Sequence, residues 1–204
     1  MEQKLHWVGL SANGALALSQ NYYTSRYNAT ITQDNNATVL ASNETVYSKN
    51  FYVSNAGPQT AASLGLRYRS RNFWTLNLTG NYFANAYSGF NPARRTIAGV
   101  DQLVDGSPQW NDVINQQKLA SEFTVDFYGS YSWRLNNQFS SLKKRTYLIV
   151  NVGVKNLTDN QNLITQSYEQ SRFDFAEKNV NKFAPKYKYG YGVNYFIRVI
   201  LRLN

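Results

Sequence analysis

Glu122 and Asp126 stand four residues apart in a stretch where apolar and polar residues alternate. Paired carboxylates are the machinery of glycoside hydrolysis. On a strand that spacing sets them some 13 Å apart at about 3.3 Å per residue. A glycosidase pair works across roughly 5–9.5 Å, so these two do not share one bond. Serine, threonine and tyrosine abound, but the chain has one histidine, His6, and no cysteine. A hydroxyl nucleophile needs a base beside it, and zinc needs imidazole or thiolate ligands. Neither set assembles, and no Gly-rich phosphate loop is present. No catalytic, metal or cofactor site is expected, and the chain is read as not an enzyme.

The net charge is +9 and the pI about 9.6, a balance that suits nucleic acid when it is gathered on one face. Here the basic residues are spread over strands and turns: Arg67, Arg69, Arg134, Lys143, Lys144, Arg145, Lys155, Arg198 and Arg202. Nucleic acid is therefore not an expected partner. Hydrophobic residues make up 43% and mean hydropathy is −0.50, yet a strand with one lipid-facing and one water-facing side averages to such values. No run approaches the roughly 20 apolar residues that a membrane helix needs. The aromatic load, Tyr 16, Phe 11 and Trp 4, is high.

The elements that carry these residues are strands of period two. From Tyr187 to Asn204 the odd positions are apolar or aromatic throughout, while the even ones are mostly polar or glycine. Successive side chains on a strand point to opposite faces, so the run predicts one long strand. Soluble sheets average five or six residues per strand, whereas a tilted membrane strand needs about 9–11. The same alternation predicts strands over Val8–Ser19, Ala62–Arg69, Trp74–Tyr82, Glu122–Arg134 and Leu148–Lys155, making six in all. Long connections near 28–58, 88–117 and 158–185 alternate with short ones at 70–72 and 136–144. Outer-membrane barrels are built this way, with long external loops and short periplasmic turns. All four prolines, Pro58, Pro92, Pro108 and Pro185, fall in loops, as ladders require.

With the C-terminus periplasmic, Trp74 and Trp133 fall at one end of the apolar face and Tyr82 and Phe123 at the other. Phe123 to Trp133 spans about 33 Å along the strand, which at a 35–45° tilt projects to about 25 Å, the height of a barrel's apolar band. These four residues are expected to form the membrane girdles against outer-membrane lipid. The opposite parity puts Arg67, Arg69, Asn77, Asn81, Asp126, Asn151, Lys155, Arg198 and Arg202 on the lumen side. They would contact a plug or a substrate, or simply hydrate the wall. Phe90, Trp110, Tyr168 and Phe173 in the long loops would stack on a ligand or pack loop to loop. Six strands do not close a barrel, and no open edge is tolerated in hydrocarbon. A segment at Thr45–Val53 has strand character but is too short and too polar to span. The chain is therefore expected to be all-β, an antiparallel up-and-down meander spanning residues 1–204 as one portion of a larger transmembrane barrel. Met1 reads as an artificial start or a cut point in a longer gene, and the opening residues hold no apolar signal-peptide core.

The wording of three segments points further. Asn151-Val152-Gly153-Val154-Lys155-Asn156-Leu157-Thr158-Asp159-Asn160 resembles the strand-end motif V-x-N-L-(F/T)-(D/N) near the C-terminus of TonB-dependent outer-membrane receptors. Asn55-Ala56-Gly57-Pro58-Gln59, leading into Ala62–Tyr68, is similar to a loop-to-strand passage of the same family. Trp74 to Tyr87, with Gly80-Asn81-Tyr82 and Ala86-Tyr87, resembles the next strand in its SusC/RagA-like branch. The resemblance runs from about residue 6 to 204 and implies a bacterial outer-membrane location. It also implies a 22-stranded barrel whose lumen is plugged, powered through the TonB complex. This chain would supply the last six strands and no plug. Remaining barrel strands, the plug, the TonB complex and a surface lipoprotein are the implied partners of the intact protein.

The insertion machinery of that membrane would read the terminal strand through Gly192, Tyr195, Ile197 and Leu203, although the chain ends on Asn204 where the family usually has an aromatic residue. The implied function is import of a glycan, peptide or metal chelate. The alternative kept open is a passive, porin-like or small barrel without energy coupling. A soluble β-sandwich or adhesin module would have shorter strands with polar exteriors.

Overall fold

The computed structural model describes residues 5–7, 9–24, 28–33, 37–47, 51–54 and 57–203. In chain order the strands are β1 Leu5–Trp7, β2 Leu10–Leu18, β3 Asn28–Thr32, β4 Val39–Thr45, β5 Thr60–Arg69 and β6 Trp74–Ala84. Two short helices follow, α1 Ile97–Val100 and α2 Pro108–Ile114. The remaining strands are β7 Glu122–Arg134, β8 Thr146–Lys155, β9 Ile164–Tyr168, β10 Lys186–Tyr189 and β11 Asn194–Leu203. β1, β2, β5, β6, β7, β8 and β11 form one seven-stranded sheet in that order, every neighbouring pair antiparallel. The fold is thus mainly β, with a large antiparallel up-and-down sheet.

Cross-strand register decides which side chains share a face. Leu10 lies opposite Tyr68, Tyr68 opposite Leu76, Leu78 opposite Phe127 and Phe127 opposite Val154. Val154 in turn lies opposite Tyr195. Directly opposed residues point to the same side. The apolar rows of six strands therefore meet on one face and the polar rows on the other, because a slip of one residue anywhere would have mixed them.

Strand limits follow the alternation closely in the middle of the sheet and less so at its margins. β7 runs Glu122–Arg134 as the pattern requires, while β5 and β6 extend to Thr60 and Ala84. At the N-terminal side a further short strand, β1, precedes β2 through a turn at Gly9, whose φ is +75°. Val8, where the first strand was expected to begin, lies outside the described residues. So do parts of two quoted stretches, residues 48–50 and 55–56.

The largest correction concerns the C-terminal strand. It is not continuous from Tyr187: β10 pairs with β9 in a separate hairpin, and β11 joins the sheet beside β8. Residues 190–193 between them are held out of the ladder by groups from the β8 end. Asn156 Nδ2 donates to Tyr191 O (3.2 Å) and Val193 N donates to Asp159 Oδ1 (2.8 Å). Gly192 belongs to this break, not to the terminal strand. The connections also carry structure, since β3–β4 and β9–β10 are hairpins and the 88–117 stretch holds α1 and α2. These pieces pack beyond one end of the sheet as a cap. The buried apolar core lies there and at the sheet's upper rim, in Val46, Ala84, Val113, Ile114 and Leu119.

Candidate functional site

The sheet is inverted relative to a water-soluble one. On its apolar face Leu64 is 62% exposed, Ile197 65%, Val199 62% and Tyr195 78%. Its polar face contains the well-buried Thr124 and Asn151. Among the described residues no element covers the apolar face. A patch spanning six strands is far beyond the few hundred Å² that soluble monomers leave bare. Trp74 lies opposite Tyr131, and Trp133 opposite Leu148, at the end bearing the short turns. Tyr82 lies opposite Phe123 at the end bearing the cap. Tyr195 and Ile197 of β11 continue the same face, and Leu203 ends the strand.

All nine residues expected on the lumen side fall on the polar face, and the register brings several together. Arg67 lies opposite Asn77, which lies opposite Tyr128; Asn151 lies opposite both Ser130 and Arg198. Asn81 Nδ2 donates to Asp126 Oδ2 (3.1 Å), and Tyr128 Oη donates to Asn151 Oδ1 (2.8 Å). Arg69 lies opposite Thr75, Lys155 opposite Asn194, and Arg202 opposite Tyr147. The polar face is a ladder of amides, hydroxyls and guanidinium groups.

The motif around Asn156 explains itself in three dimensions. Asn156 takes a left-handed conformation, φ +53°, which ends β8, and it is almost fully buried. Its backbone N–H donates to Asp126 Oδ1 (2.9 Å), while its side-chain oxygen accepts from Asn160 N (3.0 Å) and Thr158 Oγ1 (3.2 Å). Its amide nitrogen reaches Asn160 O (2.9 Å) as well as Tyr191 O. Asn160 Nδ2 then donates to Glu122 Oε2 (2.7 Å), and Leu157 N to Val125 O (2.6 Å). One knot joins β7, β8 and the approach to β11. Glu122 and Asp126 are both acceptors in it.

In the cap, Arg95 has no exposure and pairs bidentately with Glu169 at 2.5 and 2.8 Å. Its remaining donors go to the carbonyls of Asn91, Ile114 and Asn115, and its guanidinium lies 5.0 Å from the Phe51 ring centroid and 5.5 Å from that of Phe90. Arg94 lies 3.4 Å from the same carboxylate, and burial pulls its pKa below the ordinary value against the pull of Glu169. Burial and the stacked Tyr52 push the Tyr87 phenol above its ordinary value. Lys178 bonds Asp101 and Ala98 O beneath Phe175. Sequence reasoning missed this cluster, since Arg95 and Glu169 lie 74 residues apart.

The four loop aromatics divide. Phe90 is committed to packing, edge-on to Phe51 at 5.1 Å and Tyr23 at 5.6 Å. Phe173 packs edge-on to Phe175 at 5.2 Å. Trp110 sits in the first turn of α2, where Ser107 caps its N–H at 3.2 Å. Tyr168, on β9, is about half exposed. None of them lines either of two cavities in the cap region. One, of about 250 Å³, is largely apolar and bounded by Phe83, Tyr87, Leu119 and Leu163 with Glu122 at its side. The other, of about 430 Å³, is polar and bounded by Arg94, Asn111, Gln117, Asn181 and Tyr187. Among the described residues no three His, Asp or Glu side chains converge on a metal position.

Comparison with protein-family models, with curated proteins and with solved structures finds no match to this chain.

Proposed function

We propose that this chain is a wall segment of a TonB-dependent outer-membrane transporter that imports a glycan, a peptide or a metal chelate. The single observation that carries the proposal is the six-strand apolar face, which no element covers among the described residues, opposite a hydrogen-bonded polar face. In water that face costs free energy, at about 25 cal/mol per Å² of apolar surface; in a bilayer it is the solvated side. Two features of the chain support a transporter wall in particular. One is the knot at Asn156, formed by the residues that carry the resemblance to the receptor family. The other is the ordered cap over one end, which lends that end pocketed, polar surface while the opposite end has only short turns.

In this proposal the outer edges of β1 and β11 pair with other strands of the intact barrel, because an unpaired edge in hydrocarbon costs several kcal/mol per group. A plug domain, the TonB complex, a surface lipoprotein and the insertion machinery are partners of that intact protein. The test is vesicle swelling with protein extracted from outer membranes. A plugged transporter leaves vesicles impermeable to small sugars, whereas a passive porin lets them swell at once. Recovery of the protein only from a soluble fraction removes the proposal altogether.

A further inference from the structure

Carboxylates are segregated along the strand axis, while cations occur at both ends, Arg94, Arg95, Lys118, Arg172, Lys178, Lys182, Lys186 and Lys188 among them in the cap. The described carboxylates are Glu44, Asp101, Asp105, Asp112, Glu122, Asp126, Asp159, Glu169, Asp174 and Glu177. All lie in the cap or the cap-side half of the sheet, and the one nearest the short turns, Asp126, sits at mid-sheet opposite Thr79. The short-turn end holds Arg67, Arg69, Arg71, Arg134, Lys143, Lys144, Arg145 and Arg202, all exposed, with no carboxylate among its described residues. Four of these, Arg71, Lys143, Lys144 and Arg145, sit in two turns that neighbour each other, since β6 lies beside β7. The second turn is pinned. Asn136 Nδ2 donates to Leu142 O (3.1 Å) and Lys144 O (2.9 Å), and Asn136 Oδ1 accepts from Thr146 N (2.7 Å).

The same turns hold apolar rings out into solvent. Phe73 is 73% exposed and adopts a left-handed conformation, φ +65°, which is strained for an aromatic residue. Phe139, in the other turn, is likewise exposed, and Trp74 and Trp133 stand just above on the apolar face. Rings at the rim of an apolar band with cations just beyond them match the headgroup layer of a bilayer, where aromatic rings and Lys or Arg anchor. A soluble acidic partner would explain the cations but not the rings.

We propose that the short-turn end binds the anionic phospholipid headgroups of the leaflet it faces, with Arg71, Lys143, Lys144 and Arg145 contacting phosphate and Phe73 and Phe139 set at the boundary between headgroups and acyl chains. This rests on the apolar face lying in lipid. Each cation near such a surface strengthens attachment, and salt screens the effect. The leaflet with phosphatidylglycerol-type headgroups becomes the preferred neighbour of the short turns, which orients the sheet.

The test uses the full chain with vesicles of phosphatidylcholine alone and of phosphatidylcholine mixed with phosphatidylglycerol, each with brominated acyl chains. Quenching of tryptophan fluorescence reports contact with lipid, and titration gives the affinity. Expected is quenching in both, an affinity about tenfold or more higher with phosphatidylglycerol, and loss of that preference in high salt. The variant R71Q/K143Q/K144Q/R145Q should abolish the preference while retaining quenching. The cap variant K186Q/K188Q, whose exposed lysines lie at the opposite end, should keep it. Absence of quenching in both vesicles overturns the membrane proposal itself. Quenching with equal affinity leaves that proposal standing and overturns this one, as does a preference that survives the fourfold substitution.

Discussion

Asn156 and Arg95 show how single side chains organise this chain. Asn156 combines a left-handed φ, which asparagine tolerates better than most residues, with an amide that closes the turn after β8. Asn156→Ala removes the amide partners of Tyr191 O and Asn160 and adds backbone strain. The expected cost is about 1–3 kcal/mol, read as faster amide exchange over residues 157–162 and 190–193 with β6 unchanged. Asn156→Gly should recover the strain but not the hydrogen bonds. Arg95 is a buried cation whose donors reach Glu169 and three carbonyls. Arg95→Met leaves Glu169 buried with only Arg94 and the Asn91 N–H as partners, and breaking such a pair costs about 3–5 kcal/mol. Limited proteolysis should cut the cap while the sheet stays protected. Equal protection in the variant would mean the pair holds nothing together.

At the scale of elements, alternation reveals a strand but not the sheet it joins. Tyr187 to Val193 keep the period of the terminal strand, yet β10 belongs to the β9 hairpin. What diverts it is Asn156 and Asp159, reaching from a distant part of the chain. β7 was legible end to end because its register is set along both edges by long neighbours. The cap was not, since its hairpins and helices are short and are fixed by contacts such as Arg95–Glu169 and by the bridge of Gly89 to Tyr168. The lumen-side residues were legible as a row, but not their hydrogen bonds. The connection from β9 to β10 carries its own titration. Asp174 Oδ2 lies 3.1 Å from Lys182 Nζ in an ion pair, and that interaction chiefly holds its pKa below the ordinary 3.8. A lowered carboxylate pKa stabilises the fold above the unfolded value and is lost as pH falls through the folded one. Amide exchange over residues 174–182 should therefore be flat from neutral pH to about 5 and rise below pH 4, after correction for the intrinsic rate. In Asp174→Asn that rise should disappear.

The whole molecule is arranged as three zones along one axis: a cap with the buried core, a sheet with its apolar side outward, and a cationic, ring-bearing end of short turns. The buried apolar residues lie in the cap and at the rim, so backbone ladders and the polar-face network join the strands of this sheet, and on our proposal lipid solvates its apolar face. Leu78 and Asn77 are neighbours in the middle of β6, one on each face. The decisive measurement is the folding free energy of Leu78→Arg and Asn77→Arg in phospholipid vesicles, each against the parent chain. If the apolar face lies in lipid, Leu78→Arg loses about 2–4 kcal/mol near mid-bilayer, while Asn77→Arg, on the hydrated side, loses less than about 1 kcal/mol. Equal losses, or a Leu78→Arg chain that folds as well as the parent and is more soluble in water, would contradict a membrane-embedded wall.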